Sequence, residues 1–217
     1  MNRIARLGFA LFALSSGISG LASCETPSRQ AGSEPVSAAR GREIYQRHCS
    51  GCLAIRGTGD AFLAVPALAG QRLEYLRQQI ERFSINERHS SRMRWAFNRV
   101  SMNTPQAALD VATYLSQLPV LKFADSDPRH KTQGQTLFAA SCSVCHGTDA
   151  EGSADGSVPS LRAQHDAYLV NRLRQFASTS PMVEIGGHVL VDDDIIAISA
   201  YLSSLQGLNV TSEDHRP

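Results

Sequence analysis

Apolar residues along this chain recur at helical spacing, and nothing in it reads as the strict alternation of a half-buried strand. Leu73, Leu76, Ile80 and Phe83 fall three and four apart, which predicts an amphipathic helix. Leu109, Ala112, Leu115 and Leu118 mark another. Thr104-Pro105 ahead of them is a helix-start pair, a side-chain acceptor at the cap followed by a residue with no N–H to leave unpaired. Ala38 to Cys49 places Ile44 and Tyr45 in a further helical setting, while the stretch holding Met93, Trp95 and Met102 is looser and predicts no definite element. The pattern then returns. Residues 134–176 align with 41–83 at a constant offset of 93: Gly41 with Gly134, Tyr45 with Phe138, Pro66 with Pro159, Gln71 with Gln164, Phe83 with Phe176. By Tyr114-Leu115 and Tyr201-Leu202 the offset has dropped to 87, so the first copy carries about six extra residues before its last helix. A tandem duplication explains this, and the predicted fold is all-α, two copies of a small helical domain. The copies span residues 39–119 and 132–207, a Pro- and Asp-bearing linker spans 120–131, and 208–217 is a tail.

The ends and the charge add to this picture. Arg3 and Arg6 precede a short apolar run, Leu7 to Leu14, too short for a confident membrane span and suited to a secretory signal. That segment closes on Leu21-Ala22-Ser23-Cys24, which resembles the lipobox of bacterial lipoproteins, so Cys24 is the predicted lipidation site and residues 1–24 the signal peptide. Residues 25–38, rich in Ser, Pro, Gly and charge, then serve as a flexible tether. The expected location is the bacterial periplasm, held to a membrane by lipid. Lys and Arg number 21 against 20 Asp and Glu, a balance that sets nucleic-acid binding aside.

Chemistry enters through the cysteines. Of five, Cys24 is spoken for, and the others form two C-x-x-C pairs, Cys49/Cys52 and Cys142/Cys145. The second pair continues into His146, and C-x-x-C-H is the attachment signature of c-type haem. Two thiols at this spacing reach the two vinyl groups on one porphyrin edge, and the next residue brings an imidazole beneath the iron. A thioredoxin-like dithiol would want a βαβ setting, which the helical surroundings lack.

With these features together, the chain resembles the class I c-type cytochromes, in the two-domain arrangement of the cytochrome c4 type. The resemblance covers about residues 39–207 and rests on Cys142 to His146, Pro159-x-Leu161, the Tyr168-Leu169 helix, Met182 and Tyr201-Leu202. It implies covalent haem on Cys142 and Cys145, Pro159 near the axial histidine, and His146 with Met182 as the two iron ligands. Methionine is commonly a flexible core filler. Met182 instead lies in a Ser/Thr/Pro loop beyond the helix, with His188 as its rival. Iron with both axial positions filled by protein favours electron transfer over oxygen or peroxide chemistry. The implied function is a periplasmic carrier of single electrons, not an enzyme. Its partners would be a quinol-oxidising complex, a terminal oxidase or a periplasmic dehydrogenase.

The first copy departs from the pattern. It reads Cys49-Ser50-Gly51-Cys52-Leu53, and leucine has no lone pair for iron. Three readings stand open: loss of haem, haem retained on Cys49 and Cys52 with Met93, His48 or His89 as ligand, or a Cys49–Cys52 disulfide. Loss of haem is favoured, giving one haem per chain. The space would then be filled by Leu53, Ile55, Phe62, Trp95 and Phe97. Two haems would instead suit a dihaem oxidoreductase, acting on peroxide or sulfur compounds at an open iron site in the first domain. A third class is an electron-transfer subunit docked to a dehydrogenase.

Overall fold

The computed structural model describes residues 34–98, 104–121, 128–179 and 190–207. Among them the regular elements are all helices, with one isolated bridge between Asp60 and Val65. The first domain holds α1 (Ala38–His48), α2 (Ser50–Leu53), α3 (Leu73–Ser84), α4 (Ser91–Asn98) and α5 (Pro105–Ser116). The second holds α6 (Pro128–Ser141), α7 (Ser143–His146), α8 (Asp166–Thr179) and α9 (Asp192–Ser204). The predicted helices form, and Thr104 caps α5 by accepting the Ala107 N–H. The loose stretch contains α4, which the sequence pattern had not marked. Helix α6 begins at Pro128, inside the stretch read as linker, with proline at a first-turn position that has no N–H partner to lose. The predicted signal peptide, Cys24, most of the tether, Met182, His188 and the tail lie outside the described residues.

Each domain is organised by one close helix crossing. Helix α1 meets α5 and α6 meets α9, with a glycine at each point of contact. A Cβ on Gly41 would overlap the Asp110 carbonyl, and one on Gly134 would overlap that of Ala197. The aromatic pairs beside these crossings also correspond, Tyr45 with Tyr114 at 5.6 Å and Phe138 with Tyr201 at 5.7 Å, both tilted by 49°. Around them Tyr45, Leu76, Phe97, Val111, Ala112 and Leu115 form the first core, and Phe138, Ala150, Leu169, Ile198 and Leu202 the second.

In the first domain the crossing also carries an ion pair. The buried Asp110 carboxylate accepts from Arg40 Nε at 2.5 Å, from the Ser37 N–H at 2.8 Å and from Gln106 Nε2 at 3.0 Å. Ala197 occupies the matching place in the second domain. Burial alone would raise the Asp110 pKa, but these hydrogen bonds together outweigh it and hold the carboxyl below its ordinary range. A carboxylate with a depressed folded pKa contributes stability above its unfolded value and loses it as pH falls through the folded one. Asp110→Asn should therefore lower the melting temperature by roughly 5 °C at pH 7. The gap from wild type should close as the pH drops below about 4, as thermal melts across that range would record.

Candidate haem site

The site is built on the turn that follows the first helix of each domain. In the second domain α6 runs to Ser141, and Cys142 then caps the single turn α7. The His146 N–H donates to the Cys142 carbonyl at 3.0 Å, so the two thiols and the imidazole share one helical turn. Cys142 is half-buried and Cys145 exposed, and no disulfide joins them. Val144 between them is 88% exposed, which puts this edge of the site at the surface.

His146 is fixed from behind. Its Nδ1 lies 3.2 Å from the Pro159 carbonyl oxygen. A carbonyl only accepts, so Nδ1 carries the proton and Nε2 keeps its lone pair. Burial pushes the His146 pKa below the ordinary imidazole value, with the Pro159 bond opposing, so the ring is neutral at pH 7 as a metal ligand must be. Burial likewise pushes the Cys142 thiol up. Two thiols on one turn, a neutral imidazole with a free Nε2, and an exposed edge fit a covalently held haem.

The first domain keeps the shape of this site and lacks its ligand. The Leu53 N–H donates to the Cys49 carbonyl at 3.1 Å, as His146 does to Cys142. The Gly59 N–H reaches the Leu53 carbonyl at 3.1 Å, matching Gly152 to His146 at 2.9 Å. Cys49 and Cys52 are free, and burial drives the Cys49 thiol up to about 11. Leu53 packs against the first core and has no donor to offer Pro66. Of the other groups considered as ligands, Met93 sits on α4 packed against that core, His48 ends α1, and His89 is exposed beside Asn86.

The predicted filling of this domain holds in part. Leu53 and Phe97 pack inward, and so does Met93. Ile55, Phe62 and Trp95 do not, being 70%, 96% and 61% exposed. Ile55 and Phe62 sit on a loop whose backbone is already committed to turns and bridges, so their side chains point outward.

The same copying of shape has a cost at Ala54. Its counterpart Gly147 has φ +80° and ψ 157°, and Ala54 has φ +62° and ψ 158°, a region that suits glycine almost alone. The Tyr45 hydroxyl holds the loop there, donating to the Ala54 carbonyl at 2.7 Å and lying 3.1 Å from that of Leu53. Phe138 has no such group.

Two features escaped the sequence reading. The overall charge balance hides an asymmetry, with 11 basic against 6 acidic residues in 39–119 and 3 against 8 in 132–207. The other is the seam between domains, which is reciprocal. Gln71 takes the Ser160 N–H on Oε1 at 3.0 Å and donates from Nε2 to the Ser160 carbonyl at 2.8 Å. Gln164 does the same to Ala67, at 2.8 and 2.9 Å. Arg72 Nε donates to the Glu151 carbonyl at 2.8 Å, and its counterpart His165 brings Nε2 to 2.6 Å from the Thr58 carbonyl. The signal was present as the Gln71/Gln164 match, but a repeat alone does not say which face the repeated residue joins.

Comparison with known proteins agrees with this geometry. A family model for cytochrome c matches residues 38–119 and 132–206. A cytochrome c4 from Thiocapsa roseopersicina is 29% identical over 171 residues, covering 71% of this chain and 86% of that protein. The solved structure of reduced cytochrome c4 from Pseudomonas stutzeri aligns with a TM-score of 0.67 over 79% of this chain and all of that one, at 24% identity. A thiosulfate dehydrogenase from Marichromatium purpuratum aligns with a TM-score of 0.59 at 25% identity, over 83% of this chain and 44% of that one.

Ala54→Gly should relieve the strained backbone and raise the stability of the first domain by about 1 kcal/mol, as a denaturant midpoint would show.

Proposed function

The chain belongs to the cytochrome c family, and on that premise we propose that it is a periplasmic electron carrier with one haem c, held by its second domain. The observation that carries this is the contrast at one position. Residue 146 is a neutral histidine braced by Pro159, whereas residue 53 is a leucine turned into the core.

Haem c, when bound, supplies one reversible electron at its iron. The residues of the second domain do the rest. Cys142 and Cys145 hold the group covalently, so it is not lost to solvent. The Pro159 carbonyl sets the tautomer and the plane of His146, and it raises the basicity of the ligating nitrogen. Met182 is the proposed second ligand, a soft thioether that favours the ferrous state. With His146 and Met182 both holding the iron, no coordination site would be left for a substrate, which suits a carrier of electrons better than an enzyme. The exposed edge at Val144 and Cys145 gives a partner a short path for the electron. The opposite charge of the two domains orients that partner on approach.

The signal segment and Cys24 complete the reading: export, lipid on Cys24, and a tether leading into α1. Several acyl chains give stable anchoring where one is marginal. No helix among the described residues is long and apolar enough to cross a membrane. A second reading, an electron-transfer subunit docked to a dehydrogenase, draws on the thiosulfate dehydrogenase likeness, in which this chain matches under half of the larger protein. Under that reading the first domain is the docking module.

Replacing Cys142 and Cys145 together with alanine should abolish covalent haem staining in a denaturing gel. The Cys49/Cys52 double variant should stain like wild type, and persistent staining without Cys142 and Cys145 would move the haem to the first domain. Met182→Ala should remove the weak near-infrared sulfur-to-iron band of the oxidised protein and lower its potential. Survival of that band would shift the ligand to another residue, with His188→Ala and Met93→Ala as the next variants.

A further inference from the structure

The seam between domains reaches the His146 ring through the Pro159–Ser160 peptide plane. The carbonyl of Pro159 faces His146 Nδ1, and the other end of that same peptide is the N–H of Ser160. That N–H donates across the seam to Gln71 Oε1 at 3.0 Å. Gln71 Nε2 closes the clamp on the next carbonyl, that of Ser160, at 2.8 Å. The clamp is itself held, since Gln71 Oε1 also accepts the Arg72 N–H at 2.9 Å. Ser160 is buried, so water does not readily replace the glutamine.

We propose that Gln71, a residue of the haem-less domain, is a positioning residue for the axial imidazole of the other domain. The proposal rests on the reading of His146 as iron ligand. A peptide is a rigid conjugated unit, and a hydrogen bond at its N–H strengthens its carbonyl as an acceptor. Gln71 thus fixes the plane of the Pro159–Ser160 peptide and polarises it. The Pro159 oxygen then draws harder on the Nδ1 proton, and the ligating nitrogen becomes more basic. A more basic ligand favours the ferric state, so Gln71 lowers the potential.

The pseudo-symmetric partner provides the control. Gln164 makes the same two bonds to Ala67, and the peptide it clamps begins at Pro66. The residue that matches His146 in this domain is Leu53, which has no ring proton to receive the effect. The two glutamines therefore fasten the seam equally, but only one acts on an imidazole. This gives a physical reason for the first domain to keep its loop geometry without a ligand of its own.

The test compares Gln71→Met with Gln164→Met in the full haem-bearing protein. Both remove two interdomain hydrogen bonds and should lower the melting temperature alike. Only Gln71→Met should raise the potential, the ratio of reduced to oxidised protein at a fixed applied potential rising about twofold. It alone should also speed deuterium exchange of the His146 Nδ1 proton, read by NMR, by about tenfold. Gln71→Glu keeps an acceptor for Ser160 and should bring the potential back to the wild-type value or below it. Equal shifts in both methionine variants, or no shift in Gln71→Met, would overturn the proposal. If Gln71→Met does not accumulate, Gln71→Glu decides: a potential above wild type contradicts the proposal. Wild-type protein without covalent haem would instead sink the parent reading, an outcome distinct from a haem protein indifferent to Gln71.

Discussion

A half-buried imidazole still needs a partner for its ring proton, and in this protein the acceptor is the Pro159 carbonyl. Much of the second domain serves that pairing. The glycine crossing of α6 and α9 brings the end of α6 to the right height, so that the turn from Cys142 to His146 ends beside the loop carrying Pro159. Gly152 lies so close to the Pro159 backbone that any side chain there would collide with it. From beyond the domain, Gln71 holds the same peptide. An imidazole so constrained would lose little freedom on binding an iron, which suits a carrier that cycles without rearranging.

The first domain shows what remains when the ligand goes. Leu53 stands where the second domain has His146, yet the loop keeps its hydrogen bonds, its glycine crossing and even the glycine-like backbone at Ala54. Three substitutes distinguish it: Leu53 packed on the core, the Tyr45 hydroxyl tying down the turn, and the Asp110–Arg40 pair at the crossing. A domain that only filled space would be free to drift from this geometry. The seam gives a reason why it does not drift, because the loops that follow the C-x-x-C turns are also the loops that meet across the interface.

The fold was largely legible in the sequence, because helical periodicity and a gapless offset of 93 are local and additive signals. The turn that carries C-x-x-C-H was legible for the same reason, its residues lying within one short stretch. Helix α4 was not. Its apolar residues are split by Arg92 and Arg94, and its burial depends on contact with α3. The fate of Ile55, Phe62 and Trp95 was misjudged because apolar character does not fix direction, and the loop backbone turns Ile55 and Phe62 outward. The roles of Gln71 and Gln164 depend on contacts 89 and 97 residues apart, which composition and spacing do not encode.

The central claim is that one domain holds a haem and the other holds only its shape. Intact mass of the mature protein under denaturing conditions, taken with a pyridine haemochrome spectrum on the same sample, tests it most directly. The expected result is the mass of one haem per chain, with acyl mass on Cys24, and a haemochrome ratio of one. Two haems per chain would contradict the account, since Leu53 would then sit beneath an iron it cannot bind.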